Sequence, residues 1–207
     1  MWLAPPGGRD LVHRLLRLLP GLVLFGAGIG IMVPADLGLP PWDVFHQGIA
    51  NQVGTTLGIV GIAVSVVVLA LFIPLREPFG LGTLLNAVVI GLVVDLTIAV
   101  LEPPESMLPR VLLMLAGPVL VGLGSGLYIG AVLGPGPRDG LMTALAARGV
   151  TVWKARVAIE VTVLIMGYVL GGTIGVGTVW FTLSIGPLVQ LFLRPPLALP
   201  EALRQRD

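Results

Sequence analysis

Leu37-Gly38-Leu39-Pro40-Pro41-Trp42-Asp43 and Leu133-Gly134-Pro135-Gly136-Pro137-Arg138-Asp139 are two spellings of one segment, 96 residues apart. The surroundings repeat at nearly the same interval. Gly26-Ala27-Gly28-Ile29-Gly30 returns as Gly122-Leu123-Gly124-Ser125-Gly126, and Gly80-Leu81-Gly82-Thr83 returns as Gly175-Val176-Gly177-Thr178. Gly91 corresponds to Gly186, and Asp95 to Gln190. Several matches at one offset indicate a duplicated unit, and the nature of that unit decides the fold.

The units are apolar. Of 207 residues, 56% are hydrophobic and 11% charged, and the mean hydropathy is +1.00. A soluble globular chain carries about 25% charged residues. Lipid, not water, suits the surface of such a chain. A helix needs about 20 apolar residues to cross a bilayer core. Six stretches qualify: 18–33, 57–75, 81–101, 111–133, 157–171 and 176–193. The runs are continuous, where a transmembrane barrel would alternate, and helices satisfy their backbone groups within the segment. The expected fold is an all-α transmembrane six-helix bundle. The division runs 1–17 as a cytoplasmic arm, 18–101 and 111–194 as three-helix units, 102–110 as an outer linker and 195–207 as a cytoplasmic tail. A cleaved signal peptide is the rival reading of the basic start and first apolar run, and the duplication opposes it.

With six spans, eleven of the twelve Lys and Arg residues fall on one side and only Arg110 on the other. The positive-inside rule makes the richer side, with both termini, cytoplasmic. Three spans per unit is an odd number, so the second copy inserts upside down. That inverted-repeat plan is common among secondary transporters. Between the first two spans of each unit lies a less apolar stretch, 41–52 and 138–149. Each reads as a short helix opened by proline, interfacial or re-entrant. Their charges and amides favour the interfacial form.

Net charge +1 provides no basic field for nucleic acid, and a chain without cysteine has neither disulfides nor thiolate metal sites. His13 and His46 are too few for a histidine metal cluster, and no cofactor is expected. Gly26, Gly30, Gly122 and Gly126 have the small-xxx-small spacing of close helix packing; a nucleotide-binding glycine loop would not lie within a span. Thr83 and Thr178 stand at helix starts, where a hydroxyl can cap the first turn or free N–H groups can face a solute. Asp43 and Asp139 are symmetry partners read as caps of the short helices, with Arg138–Asp139 as a local charge pair. His46 follows Asp43 by one turn, which also permits a proton relay. Asp95 and Glu160 are acids in apolar sequence, which mark pathways by default. Glu160 pairs with Arg156 on the same helix face as a simpler alternative. Asn86 and Gln190 complete the intramembrane polar set, and Asn86 and Asp95 point in different directions from their helix.

Pro41-Trp42-Asp43, then Gly80-x-Gly82-Thr83-x-x-Asn86, then Gly91-x-x-x-Asp95 occur in the order seen in a family of bacterial membrane proteins. The chain resembles the YczE/YyaS/YitT group, with the YczE branch nearest, from about Pro20 to Leu193. The resemblance implies a multi-pass protein of the cytoplasmic membrane and supplies no substrate. The expected function is passage of a small solute or ion, as transporter or channel. The alternative is an accessory or scaffold protein holding a membrane partner or a second copy of itself. An intramembrane enzyme is not expected, because no nucleophile–base pair is evident.

Overall fold

The computed structural model describes residues 2–193, so the expected tail 195–207 lies outside the described residues. It is helical apart from one two-residue pairing. In chain order the elements are β1 Trp2–Leu3, α1 Gly8–Gly30, α2 Met32–Ala35, α3 Pro41–Val53, α4 Leu57–Leu75, β2 Phe79–Gly80, α5 Leu81–Val100, α6 Met107–Gly130, α7 Pro137–Ala146, α8 Val152–Val169 and α9 Val176–Phe192.

Among the described residues, four helices are long and apolar enough to cross a membrane: α1 continued through α2 (Gly8–Ala35), α4, α5 and α6. Of the other two expected spans, α9 is apolar but only 17 residues long. Helix α8 has 18 residues and carries Lys154, Arg156 and Glu160 in its first half. It begins five residues before the expected Val157, because the charged turn is helical too. Helix α1 likewise begins at Gly8, ten residues before the expected Leu18. Within the expected arm, Trp2–Leu3 pairs in parallel with Phe79–Gly80. Arg14 is buried, hydrogen-bonded to Asp10 and donating to the Val132 carbonyl.

Glycines set how closely the helices cross. Helices α1 and α6 pack antiparallel: Arg14 near the start of α1 reaches Val132 after α6, and Arg110 near the start of α6 pairs with Asp36 after α2. A Cβ at Gly28 would lie 2.8 Å from the Gly117 carbonyl, and one at Gly21 2.8 Å from the Tyr128 amide. Helix α1 meets α5 through Gly26 and Gly30, where a Cβ would stand 2.8 Å from Val93 and 2.5 Å from Thr97. Helix α6 meets α9 through Gly122 and Gly126, against Leu188 and Phe192 at 2.9 and 2.6 Å.

Pro41 and Pro137 open α3 and α7 at their first positions, where no intrahelical N–H is needed. The loops before them turn on Gly38 (φ 106°) and Gly134 (φ 112°), conformations that suit glycine. Helix α3 packs on α8: a Cβ at Gly48 would sit 2.7 Å from the Gly167 carbonyl. Asn51 and Gln52 donate to the Gly171 and Leu170 carbonyls, and Gln47 accepts from the Thr173 amide. Helix α7 packs on α4, where Thr143 donates to Glu77 and Arg148 to the Leu75 carbonyl. The charges and amides that favour an interfacial placement do not make α3 a solvent-exposed helix. Its first turns, from Pro41 to Val44 with His46, are buried in the protein, and only its far end is exposed.

Candidate functional site: a polar cavity between two short helices

The N-terminal ends of α3 and α7 meet inside the bundle. Arg138 of α7 places a guanidinium nitrogen 3.4 Å from Asp43 Oδ1 of α3, and its guanidinium carbon lies 5.1 Å from the Trp42 ring centroid. Around this junction lies a cavity of about 150 Å³, to which α1 and every helix from α3 to α9 contribute lining residues. Its polar lining includes Asp43, His46, Asn86, Tyr128, Arg138 and Asp139.

Asp43 occupies the third position of α3, and the helix has no side-chain cap. The expected capping role is thus corrected. With Pro41 at the first position, and the Asp43 and Val44 amides already bonded to the Pro40 carbonyl, the carboxylate is free to turn inward. Its Oδ1 meets His46 Nδ1 at 3.2 Å as well as Arg138. A carboxylate only accepts, so His46 Nδ1 carries the proton in this contact, and in the neutral imidazole Nε2 is then an acceptor. Asp139 is likewise uncapping at the third position of α7. Its Oδ2 accepts from the Tyr128 hydroxyl. The expected local Arg138–Asp139 pair is therefore replaced by a pair joining the two short helices, Arg138–Asp43. Asn86 Nδ2, Tyr128 Oη and Asp139 Oδ2 converge on Gly136, where an added Cβ would find them 3.1, 3.2 and 3.3 Å away.

Among the described residues, three buried polar atoms lack a hydrogen-bond partner: Trp42 Nε1, Asp43 Oδ2 and His46 Nε2. All three belong to residues that line the cavity. Unpaired buried polar groups are costly and uncommon. All three lie within two turns of one helix.

The remaining expected residues divide. Glu160, bonded to Arg156 at 3.0 Å, lines the cavity with its partner. Asp95 does not. It holds the start of α4, accepting from the Gly58 amide at 2.7 Å and from the Thr56 hydroxyl. Asn86 and Asp95 thus serve different places, as their spacing indicated. Thr83 and Thr178 are buried outside the cavity, where each hydroxyl accepts from the N–H of the glycine three residues earlier, Gly80 at 3.0 Å and Gly175 at 3.2 Å. The Gly82 and Gly177 amides donate to Leu133 and Leu37 carbonyls, each at 2.7 Å. Those N–H groups are occupied and do not face a solute. Gln190 is exposed. Sequence reasoning missed Tyr128, Trp42, Ser125 and Arg138 as cavity groups. A faint signal existed for Tyr128, one of two tyrosines in the chain and set within an apolar run.

The model of a family of unknown function, DUF6198, matches residues 12–194. The chain belongs to that family. An uncharacterized protein of Haemophilus influenzae is 41% identical over 88% of this chain and 84% of its own length. The uncharacterized membrane protein YczE of Bacillus subtilis is 31% identical over 89% of this chain and 87% of its own. The uncharacterized protein YyaS of the same organism is 26% identical over 84% and 89%. The similarity to the YczE and YyaS proteins expected from the Pro-Trp-Asp and Gly-x-Gly-Thr motifs is therefore present along most of the chain. No solved structure matches. The apolar helices and the relative named as a membrane protein agree that this member of DUF6198 is a membrane protein.

Proposed function

We propose that the chain passes a small solute or ion across the bacterial cytoplasmic membrane, through the cavity where α3 and α7 meet. The observation that carries this reading is the set of unpartnered buried atoms on Trp42, Asp43 and His46, beside a cation from the other repeat unit. A protein needing only to pack would gain by filling that space with apolar groups.

The architecture we infer is six spans in two inverted units, with α8 and α9 as the fifth and sixth. Paired contacts support it. Gly82 to Leu133 and Gly177 to Leu37 are the same bond in both units, and the α1–α5 glycine contacts recur between α6 and α9. In this plan α3 and α7 are re-entrant from opposite sides. Their 13 and 10 residues give about 20 and 15 Å of helix at ~1.5 Å rise. Placed end to end they match a hydrocarbon core of about 30 Å. Broken helices meeting near the midplane are a form that solute sites take in transporters. The orientation puts both termini in the cytoplasm. Arg138 and Arg156 line the cavity, so the basic count on that side rests on the other nine residues.

The reading is one of passage, not catalysis. Its test is uptake and efflux of a solute panel in vesicles holding the purified chain, against Asp43→Asn and Tyr128→Phe variants of equal thermal stability. Saturable flux that falls at least tenfold in Asp43→Asn supports it. Flux equal to empty vesicles across organic cations, anions and neutral solutes rejects it.

A further inference from the structure

The chemistry of the unpartnered atoms says what the cavity accepts. Asp43 Oδ2 can only accept a hydrogen bond, and on the tautomer fixed by the Asp43 contact His46 Nε2 also accepts. Both side chains are only 2% exposed, so bulk water does not serve them. The unpartnered set is thus two acceptors against one donor, Trp42 Nε1, which favours a solute that donates more than it accepts.

Charge points the same way. Three carboxylates line the cavity, Asp43, Asp139 and Glu160, against two guanidiniums, Arg138 and Arg156. With His46 neutral the lining carries one excess negative charge. The positive ends of α3 and α7 do not alter this toward anions, because Asp43 and Asp139 already stand in their first turns. Phe25, Tyr128 and Phe181 add aromatic rings to the wall, and ring faces attract cations. A bare metal ion fits less well. Among the described residues no group of three His, Asp or Glu could hold one, and alkali and alkaline-earth ions favour shells of oxygen.

We propose that the cavity binds a small solute bearing a protonated amine, with the Asp43 carboxylate as its counter-charge. This rests on the reading of the cavity as a solute site and names the class of solute. Asp139 supplies the second carboxylate, and the apolar wall receives a short carbon chain.

The test is equilibrium binding to the full chain in lipid nanodiscs, by calorimetry and by the rise in melting temperature. Propylammonium, propionate and tetramethylammonium are compared at constant ionic strength over sodium chloride. Saturable binding of propylammonium is expected, with none of propionate and weaker binding of tetramethylammonium, which is cationic but has no N–H to donate. Asp43→Asn should weaken propylammonium at least tenfold. Asp139→Asn should weaken it severalfold and provides the reading if Asp43→Asn fails to fold. Glu105→Gln, on the exposed linker, should leave it unchanged. Propionate binding as well as propylammonium would overturn the proposal, as would a sodium effect of equal size. So would unchanged affinity in both aspartate variants, or no saturable propylammonium binding. Amine binding without any flux in vesicles would remove the passage reading and leave this one standing. Flux of other solutes without amine binding would remove this one alone.

Discussion

Asp43 and Asp95 are both acids in apolar surroundings, yet their partners give them opposite roles. Asp95 accepts from the first turn of α4, so its carboxylate fixes a helix start, and it is not among the residues that line the polar cavity. Replacing it with alanine leaves the Gly58 amide unmatched, at a cost of about 1–3 kcal/mol. Asp95→Ala should lower the melting temperature in detergent while flux per folded molecule stays at the native level; lost flux at unchanged stability would contradict this placement. Thr83 and Thr178 offer a matched pair. Each receives one backbone N–H, and each valine variant should lose about 1 kcal/mol, similar in both, as read by denaturant or thermal melts. A large loss of flux from either alone would mean that its hydroxyl serves a solute.

At the scale of elements, the short helix α3 depends on α8 for its depth. Gly167 has no room for a side chain: its Cβ would stand 2.5 Å from the Phe45 amide. Leucine there must push α3 outward, and overpacking typically costs about 1–3 kcal/mol, occasionally more. Gly167→Leu should therefore lower the melting temperature and expose Trp42 to a water-soluble fluorescence quencher. Gly186 has nothing within 4 Å of its Cβ position. Gly186→Ala should be neutral or slightly stabilising, since alanine is favoured over glycine in a helix by up to about 1 kcal/mol. Equal effects of the two substitutions would refute the close α3–α8 contact.

At the scale of the whole molecule, the testable matter is which ends share a side. The chain has no cysteine, so single introduced thiols report cleanly on topology. Glu102→Cys and Asn51→Cys should react with an impermeant reagent applied to intact cells. Arg148→Cys should react only after the membrane is opened. Labelling of Glu102→Cys from the cytoplasm alone would invalidate the inverted arrangement. Asn51 lies in the last turn of α3 and Arg148 two residues beyond α7, so their labelling also tests whether α3 and α7 open to opposite sides.

Apolar run length and the 96-residue echo were legible in the sequence, because a lipid-facing surface and a recurring motif both show in the order of residues alone. So did the glycines of α1 and α6, whose spacing is itself a statement about contact. Helix depth and partnership were not legible. Pro-Trp-Asp and Pro-Arg-Asp read alone as capped surface helices, because first-turn acids commonly cap. Only folding brings residue 138 against residue 43. That contact turns two local capping signals into one cavity, since a carboxylate inside a bundle answers to whichever distant groups packing places beside it.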